Sequence, residues 1–382
     1  MRTLHYICTN ASKSLFQESC AMDGKIQSTE FVSPDLNHTT LLQFPKVELH
    51  RHLEGTFELQ TLFTMSVRNG IDLPTDFPSF KKEVQFPKDS EPDFLKFLSK
   101  FRNNWYRSHE DVWNIAYESM RAFADDGLHY IEVRFSPEHF AIHNDFDRLE
   151  VTKMIVEAGN KAAEETDTRI RYLLTFNRSR QTQEEMLELY RKVMSLNLSE
   201  IVGIDLAGDE LNYPPELFVD FFKAVRSDGA CGTTIHAGEV TPPKQVWDAL
   251  NVLNADRIGH GTSSIEDENL QRYLTDNGVT LEQCITSNRQ TGSWTDEEDH
   301  PLGRLYRAGV PVTINSDDPT IQDSDLTDDY VKAVRYFDLT VDDLVKLNHI
   351  AIDAAFLSHT AKEALRKSYD AAVQQFRSAQ RL

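Results

Sequence analysis

The chain has 382 residues, of which 40% are hydrophobic and 26% are charged, as is ordinary for a globular protein. Its 61 acidic residues outnumber its 40 basic ones and give a formal net charge of -21, which argues against nucleic acid as a partner. No run of about 18 or more apolar residues occurs, so we predict neither a membrane span nor a membrane partner.

Residues 1–43 differ from the rest of the chain because they are polar and show no sustained hydrophobic period. Their start, Met1-Arg2-Thr3-Leu4, lacks the apolar stretch of a secretory signal. We interpret residues 1–43 as an N-terminal extension that is poorly or partly ordered, and residues 44–382 as a single domain. The 4 cysteines are widely spread and form no CxxC pair, which favours a reducing compartment and a cytoplasmic location.

Beyond the extension, apolar runs of strand length alternate with stretches of helical periodicity. The runs are Val47–His52, Tyr130–Phe135, Ile170–Thr175, Ile201–Leu206, Thr233–His236, Arg257–Gly259, Val279–Gln283 and Val310–Asn315. The helical stretches between them include Trp113–Ala124, Leu149–Glu165, Gln183–Leu196, Pro215–Ser227 and Pro243–Leu253. This alternation predicts an α/β fold with a parallel sheet, closed as a (β/α)8 TIM-type barrel. The runner-up is a doubly wound open sheet, but no GxGxxG motif follows the first strand.

Extra helices are expected in the first β-α insertion and at the C-terminus. Residues 53–129 form a long insertion that carries an apolar stripe at helical spacing, from Phe94 to Phe101. The stripe fits a core-facing helix, which is the preferred interpretation, or a lid over a pocket. From Tyr330 onward the pattern is helical, and we interpret residues 374–382 as a polar tail.

Polar clusters follow the carboxyl ends of the apolar runs, which in a barrel form the catalytic face. His50 and His52 lie on one side of a strand end because strand side chains alternate. His236 ends a second run and Asp317 follows a third. Three imidazoles and one carboxylate suit zinc or a similar first-row ion rather than calcium or magnesium. Each piece alone has an ordinary structural explanation, but their joint placement predicts one metal centre.

A metal of this kind lowers the pKa of bound water to about 7 and so supplies a nucleophile at neutral pH. A second group must orient and deprotonate that water, and His260 or Asp317 could do so from adjacent strand ends. Glu239, three residues beyond His236, is placed to deliver a proton to the substrate, since a buried carboxyl can stay protonated. The structural alternative for Glu239 is a carboxylate at the start of a helix.

Seven segments, in this order along the chain, resemble the adenosine deaminase family of metal-dependent amidohydrolases. They are Pro45-Lys46-Val47-Glu48-Leu49-His50-Arg51-His52-Leu53-Glu54-Gly55, Glu132-Val133-Arg134-Phe135-Ser136-Pro137, Gly203-Ile204-Asp205-Leu206-Ala207-Gly208-Asp209-Glu210, His236-Ala237-Gly238-Glu239, Arg257-Ile258-Gly259-His260-Gly261, Ser287-Asn288-Arg289-Gln290-Thr291-Gly292 and Asn315-Ser316-Asp317-Asp318-Pro319. The resemblance covers roughly residues 44 to 365. It implies a (β/α)8 barrel that works as a zinc-dependent hydrolytic deaminase. Its substrate would be a small 6-aminopurine compound.

The resemblance also implies a role for each matching residue. The ligands of one zinc ion would be His50, His52, His236 and Asp317. Glu239 would protonate purine N1, and His260 would orient the attacking hydroxide and stabilise charge in the transition state. Asp318 would hydrogen-bond N7, and the backbone N–H of Gly208 would meet N3. Cytidine-type zinc deaminases use a P-C-x-x-C signature that this chain does not contain.

One position departs from the family pattern. Typical adenosine enzymes have aspartate where this chain has Glu54, and that aspartate contacts the ribose 5′-hydroxyl. Glutamate is one methylene longer, so it either accepts the same bond from a shifted ribose or marks an enzyme for adenine or aminodeoxyfutalosine. The segment Thr291-Gly292-Ser293-Trp294 and the Phe94–Phe101 stripe resemble the nucleoside enzymes, which favours adenosine and 2′-deoxyadenosine. No cationic cluster lies beside the motifs, which argues against a phosphate-bearing substrate.

A reading of another class also stands at this point: a barrel that binds a nucleoside or a partner protein without turning anything over. The complete set of metal ligands, acid and base argues for an enzyme, with a role in purine salvage. The sequence does not decide the oligomeric state.

Overall fold

The computed structural model describes residues 36–88 and 90–382. Within these residues, eight parallel strands pair in the order of the chain. The strands are β1 (Lys46–His52), β2 (Leu128–Phe135), β3 (Arg169–Asn177), β4 (Ile201–Ala207), β5 (Gly232–Ala237), β6 (Arg257–His260), β7 (Thr280–Gln283) and β8 (Val312–Ile314). Each predicted run coincides with one of these strands, and the predicted TIM-type α/β barrel is confirmed.

Helices connect the strands and cover the outside of the sheet. They are α1 (His38–Leu42), α2 (Leu59–Arg68), α3 (Phe77–Val84), α4 (Phe94–Leu98), α5 (His109–Arg121), α6 (Pro137–Ala141), α7 (Arg148–Thr166), α8 (Gln183–Met194), α9 (Val219–Asp228), α10 (Pro243–Asn251), α11 (Glu268–Asn277), α12 (Ile285–Thr291), α13 (Leu302–Arg307), α14 (Pro319–Gln322), α15 (Leu326–Phe337), α16 (Val341–Ala354) and α17 (His359–Gln380). The extra helices predicted in the first insertion, α2 to α5, and at the C-terminus, α15 to α17, are present.

The barrel closes between β1 and β8, although β8 has only 3 residues. The backbone of Asp317, beyond the end of β8, completes the pairing: its N–H donates to the carbonyl of His50 at 3.0 Å, and its carbonyl accepts from the N–H of His52 at 2.9 Å. Side chains continue the seam below. The Leu49 N–H donates to Asn315 Oδ1 at 3.0 Å, and the Ser316 N–H donates to Glu48 Oε1 at 2.7 Å.

Helix boundaries follow local capping chemistry. The predicted helix Trp113–Ala124 begins earlier, at His109, because Ser108 accepts a hydrogen bond from the Asp111 N–H and completes a capping box. The predicted helix Pro215–Ser227 is divided into a 3-10 turn, Pro215–Phe218, followed by α9. These corrections move the ends of elements and leave their order unchanged.

The outer face of the barrel and its carboxyl end are covered differently. On the outer face, α16 and α17 pack apolar side chains against β1, where Val47 and Leu49 are buried. Most of the predicted polar tail belongs to α17, which continues to Gln380 and buries Phe376. At the carboxyl end, α4 carries the predicted stripe, and Phe97 packs in a small cluster of its own with Phe86 and Ile321.

Of the predicted extension, residues 1–35 lie outside the described part of the chain, as do Cys8 and Cys20. The remainder contains α1, whose Leu41 is fully buried. The domain boundary at residue 43 and the order of the extension therefore remain predictions. Among the described helices, none combines the length and apolar character needed to cross a membrane.

Candidate metal centre and active site

The four predicted metal ligands meet at the carboxyl end of the barrel. His50 and His52 come from the end of β1, His236 from β5, and Asp317 from the turn after β8. One donor atom from each lies within 4.8 Å of the others. Asp317 has a positive φ of 66°, a conformation that turns the backbone so that the residue closes the seam and presents its carboxylate to the histidines.

Within this cluster, histidine nitrogens and a carboxylate oxygen, all of which carry electron pairs, face one another at short distances. His50 Nε2 lies 3.2 Å from Asp317 Oδ1 and has no hydrogen-bond partner. His52 Nε2 lies 3.2 Å from His236 Nε2 and 3.4 Å from Asp317 Oδ1. Burial lowers the pKa of His52 well below its usual range and also lowers that of His236. The facing nitrogens of neutral His52 and His236 repel each other and the nearby carboxylate oxygen unless a cation lies between them, so the donor set fits a metal ion.

The far nitrogens of two ligands are held by buried carboxylates. His50 Nδ1 lies 2.8 Å from Glu282 Oε2, and His236 Nδ1 lies 2.8 Å from Asp205 Oδ1. Each carboxylate accepts the Nδ1–H, which leaves the Nε2 electron pair free for the metal. Arg134 lies between the two carboxylates, with Nη2 at 2.8 Å from Glu282 and Nη1 at 3.3 Å from Asp205. One buried guanidinium therefore links the supports of both histidines.

Below Arg134, charged side chains continue through the barrel interior. Arg257 donates to Glu282 Oε1 at 2.7 Å and to Glu132 Oε2 at 2.7 Å. Sequence reasoning assigned no role to Arg134, Asp205 or Glu282. The available signal was a charged residue within an apolar strand, which is rarely buried unless it is paired.

Asp317 is also held from the other side of the cavity. Ser287 at the start of α12 donates its hydroxyl to Asp317 Oδ2 at 2.7 Å. Burial opposes ionisation of Asp317, but its contact with His50 outweighs that effect and holds its pKa well below the usual range. The carboxylate is therefore ionised, as a metal ligand must be.

The predicted proton donor and the predicted orienting histidine face each other beside the ligands. His260 Nε2 lies 3.7 Å from Glu239 Oε2 and 3.9 Å from Asp317 Oδ2. Burial, followed by the charges of Asp317 and Glu210, raises the pKa of Glu239 well above its usual range. Burial likewise lowers the pKa of His260 well below its usual range. Burial thus favours the protonated carboxyl of Glu239 and the neutral imidazole of His260.

Two further predicted site residues, Glu54 and Asp318, are buried carboxyls in the wall of the cavity. Glu54 Oε1 accepts the Ser136 N–H, whereas Glu54 Oε2 has no partner, and burial raises the pKa of Glu54 to about 8. Asp318 Oδ1 also has no partner, and burial together with Asp317 raises its pKa well above the usual range. A Cβ on Gly55 would come within 1.8 Å of Asp318 Oδ1, so Asp318 can occupy this place only beside a glycine.

The remaining wall of the cavity combines backbone and aromatic surface. Gly208 has a φ of 101°, which favours glycine, and its backbone lies at the cavity wall beside Asn177. Phe94, Phe97 and Phe101 of the stripe also line the cavity. Because Phe97 is only 2% exposed and also packs with Phe86, the stripe belongs both to a small core and to the pocket.

The outer part of the cavity contains side chains that sequence reasoning did not select. Arg180, Asn177 and His139 line it. Arg180 follows the end of β3 by three residues, in a segment with no predicted motif. The only sequence feature that could have indicated a place for Arg180 in the cavity is that a cationic residue follows the end of a strand.

Comparison with known proteins gives consistent results. A family model described as adenosine deaminase matches residues 45–372. The adenosine deaminase of Pectobacterium atrosepticum is 34% identical over 331 residues, which cover 85% of this chain and 96% of that protein. The adenosine deaminase of Aliivibrio fischeri is 34% identical over 330 residues, which cover 85% of this chain and 97% of that protein.

Solved structures show the same architecture. The adenine deaminase of Arthrobacter aurescens superposes with a TM-score of 0.78 at 25% identity, covering 86% of this chain and 99% of that one. An N6-mAMP deaminase from Arabidopsis superposes with a TM-score of 0.75 at 25% identity, covering 87% of this chain and 99% of that one. The similar proteins therefore share one reaction type and differ in the aminopurine they take.

Proposed function

This chain belongs to the adenosine deaminase family, and from that premise we propose that it hydrolyses adenosine and 2′-deoxyadenosine to inosine and 2′-deoxyinosine with release of ammonia. The enzyme is a hydrolytic deaminase by family and fold. We further propose that it works in purine salvage in the cytoplasm, on a small-molecule nucleoside.

A single observation carries this proposal. The Glu239 carboxyl and the His260 imidazole, whose burial favours their uncharged forms, lie beside one cluster of four metal-ligand atoms at one cavity. Hydrolysis at the ring carbon that bears the amino group needs a proton on the ring and an activated water, and these groups can provide both.

We assign His50, His52, His236 and Asp317 as the ligands of one zinc ion. Three imidazoles with one carboxylate are the donor types that zinc takes in catalytic sites. A zinc ion bound there would supply a water nucleophile at neutral pH and Lewis-acid stabilisation of developing negative charge. The chain's own contribution is to hold the four donors through Glu282, Asp205 and Arg134.

Glu239 is assigned as the proton donor to purine N1. Its burial keeps the carboxyl protonated, so that it can give a proton to the ring nitrogen while negative charge builds there. Protonation at N1 makes C6 more electrophilic at the moment of attack. Asp317 and His260 lie on the same side of the cavity as Glu239, where they can orient the attacking oxygen.

Asp318, Gly208, His52 and Glu54 are assigned to substrate binding. The raised pKa of Asp318 allows its carboxyl to donate a hydrogen bond to N7, which carries an electron pair. The backbone N–H of Gly208 would donate to N3. Glu54 Oε2, which has no partner in the protein, is available for the ribose 5′-hydroxyl.

The experiment is ammonia release from adenosine by the purified, zinc-loaded protein, run beside adenine and aminodeoxyfutalosine. We expect fast turnover of adenosine that a chelator abolishes and added zinc restores. Turnover of only another aminopurine would keep the mechanism and replace the substrate, and would identify Glu54 as the residue to examine. No turnover of any of the three with zinc bound would contradict the proposal.

A further inference from the structure

Asn288 joins His260 of the active site to a second buried histidine, His300. Asn288 Nδ2 lies 3.1 Å from His260 Nδ1, and Asn288 Oδ1 lies 3.0 Å from His300 Nε2. Asn288 and His300 are at most 1% exposed and come from α12 and the segment before α13. Neither has a place in the proposed mechanism so far.

The far end of this chain of bonds has a fixed direction. The backbone N–H of Leu302 donates to His300 Nδ1 at 3.2 Å, so that nitrogen carries no proton. Burial, with the charges of Lys332 and Arg304, lowers the pKa of His300 to about 3, so the ring is neutral at working pH. A neutral imidazole that accepts at Nδ1 must carry its proton at Nε2. His300 therefore donates to Asn288.

That donation determines which way the Asn288 amide is turned. Its Oδ1 accepts from His300 Nε2 and from the Thr262 hydroxyl at 3.0 Å, so its Nδ2 faces His260. The amide nitrogen is a donor only, so His260 Nδ1 must accept. Because His260 Nδ1 accepts from this amide and carries no proton, the ring proton is on Nε2, and that N–H points to the cavity side, between Glu239 and Asp317.

We propose that His300 and Asn288 are positioning residues that fix the tautomer of His260, so that His260 Nε2–H acts as a hydrogen-bond donor during the reaction. This inference rests on the proposed deaminase function. In this tautomer Nε2 cannot remove a proton from water. It can donate to the oxygen that adds to C6 and so stabilise the charge developing on it.

The decisive variant is Asn288→Asp. The introduced carboxylate has no proton to donate and would accept one from His260 Nδ1, which leaves an electron pair on Nε2. We expect kcat to fall by about 100- to 10,000-fold, the range seen when a catalytic group loses its protonation state or a histidine takes the wrong tautomer, with KM nearly unchanged.

His300 is tested by a matched pair. His300→Gln keeps an N–H near the former Nε2 and should retain most activity, whereas His300→Leu removes it, lets the Asn288 amide turn over, and should lower kcat about tenfold or more. Thr262→Val removes the other donor to Oδ1 and is the control, since His300 still sets the direction. We expect its kcat within about threefold of wild type.

The tautomer itself is read by 15N NMR of histidine-labelled, zinc-loaded protein, with melting curves confirming that each variant is folded. We expect His260 to be protonated at Nε2 in the wild type and at Nδ1 in Asn288→Asp. A wild-type protein with His260 protonated at Nδ1, or an Asn288→Asp variant with near-normal kcat, would overturn the inference. Absence of adenosine turnover in the wild type would contradict the proposed function instead, and the tautomer would still be measured.

Discussion

The floor and one wall of the cavity are built on opposite principles. The floor is the metal-ligand cluster together with the charged side chains beneath it, Arg134, Asp205 and Glu282, which are all at 0% exposure. Both carboxylates pair with the one guanidinium. The wall at α4 is apolar, and its Phe97 packs in a cluster of only a few residues that is separate from the main core. Buried ion pairs fix directions closely because a displaced charge loses its partner, whereas an apolar contact tolerates sliding. We therefore expect chemistry to depend on the floor and substrate fit to depend on the wall.

The largest effect is expected at the proton donor above the floor. Glu239→Gln keeps the shape of the side chain but cannot supply an acidic proton, so kcat should fall by about 100- to 10,000-fold. Metal content should stay at one ion per chain, because Glu239 is not among the proposed ligands. Steady-state kinetics and metal analysis check both expectations. Near-normal kcat in this variant would remove Glu239 from the role of acid.

The second effect concerns stability of the floor. Arg134→Met leaves two buried carboxylates without their shared cation, and loss of one partner of a buried pair costs about 3–5 kcal/mol. The matched control is Arg226→Gln, which breaks an exposed pair with Asp256 at 2.7 Å and should cost at most about 1 kcal/mol. Urea unfolding of metal-free protein measures both. Equal losses would show that the buried charges do not stabilise the floor.

A third test measures how activity depends on pH through the proton donor above the floor. Burial raises the pKa of Glu239, and the protonated form is the one that donates. Activity that depends on it is therefore fully present below the raised pKa and lost as pH increases through it, by about tenfold per pH unit. The kcat/KM of wild type should show this alkaline decline, and the residual activity of Glu239→Gln should not. A decline of the same position and depth in both would assign it to another group.

The smallest effect on chemistry is expected at the wall. Phe97→Ala should raise KM for adenosine several-fold while kcat changes by less than about threefold, because the stripe lines the cavity but contains none of the proposed catalytic groups. Its melting temperature should decrease only modestly. A loss of about 3–5 kcal/mol with unchanged KM would instead place Phe97 in the structural core, at the usual cost of a buried Phe→Ala change.

The same contrast explains what the sequence could predict. The meeting of His50, His52, His236 and Asp317 was predictable because each lies at the end of an apolar run, and parallel strands bring those ends together. The order of strands followed from alternation alone. Residues of the stripe were recognisable as apolar, but their spacing could not decide between core and pocket, and in the structure they contribute to both.

The supporting residues were not predictable in the same way. Glu282 and Asp205 reach His50 and His236 from other strands, and nothing in the local sequence states which charge meets which. The pairing of His300 with Asn288 depends on two segments that follow β7 and on a backbone N–H, and so has no pattern of its own. Such contacts are set by three-dimensional packing, which periodicity does not encode.

The seam between β1 and β8 has a consequence for the protein without its metal. Asp317 holds the last strand to the first through its backbone and offers its carboxylate to the proposed ion through its side chain. An ion bound by this carboxylate would therefore also stabilise the closure of the barrel between β1 and β8. Removal of the ion should speed backbone amide exchange at His52 and Asp317 before exchange increases on the opposite side of the barrel. The exchange rate at the contact between β1 and β8 would then report whether the metal site is occupied.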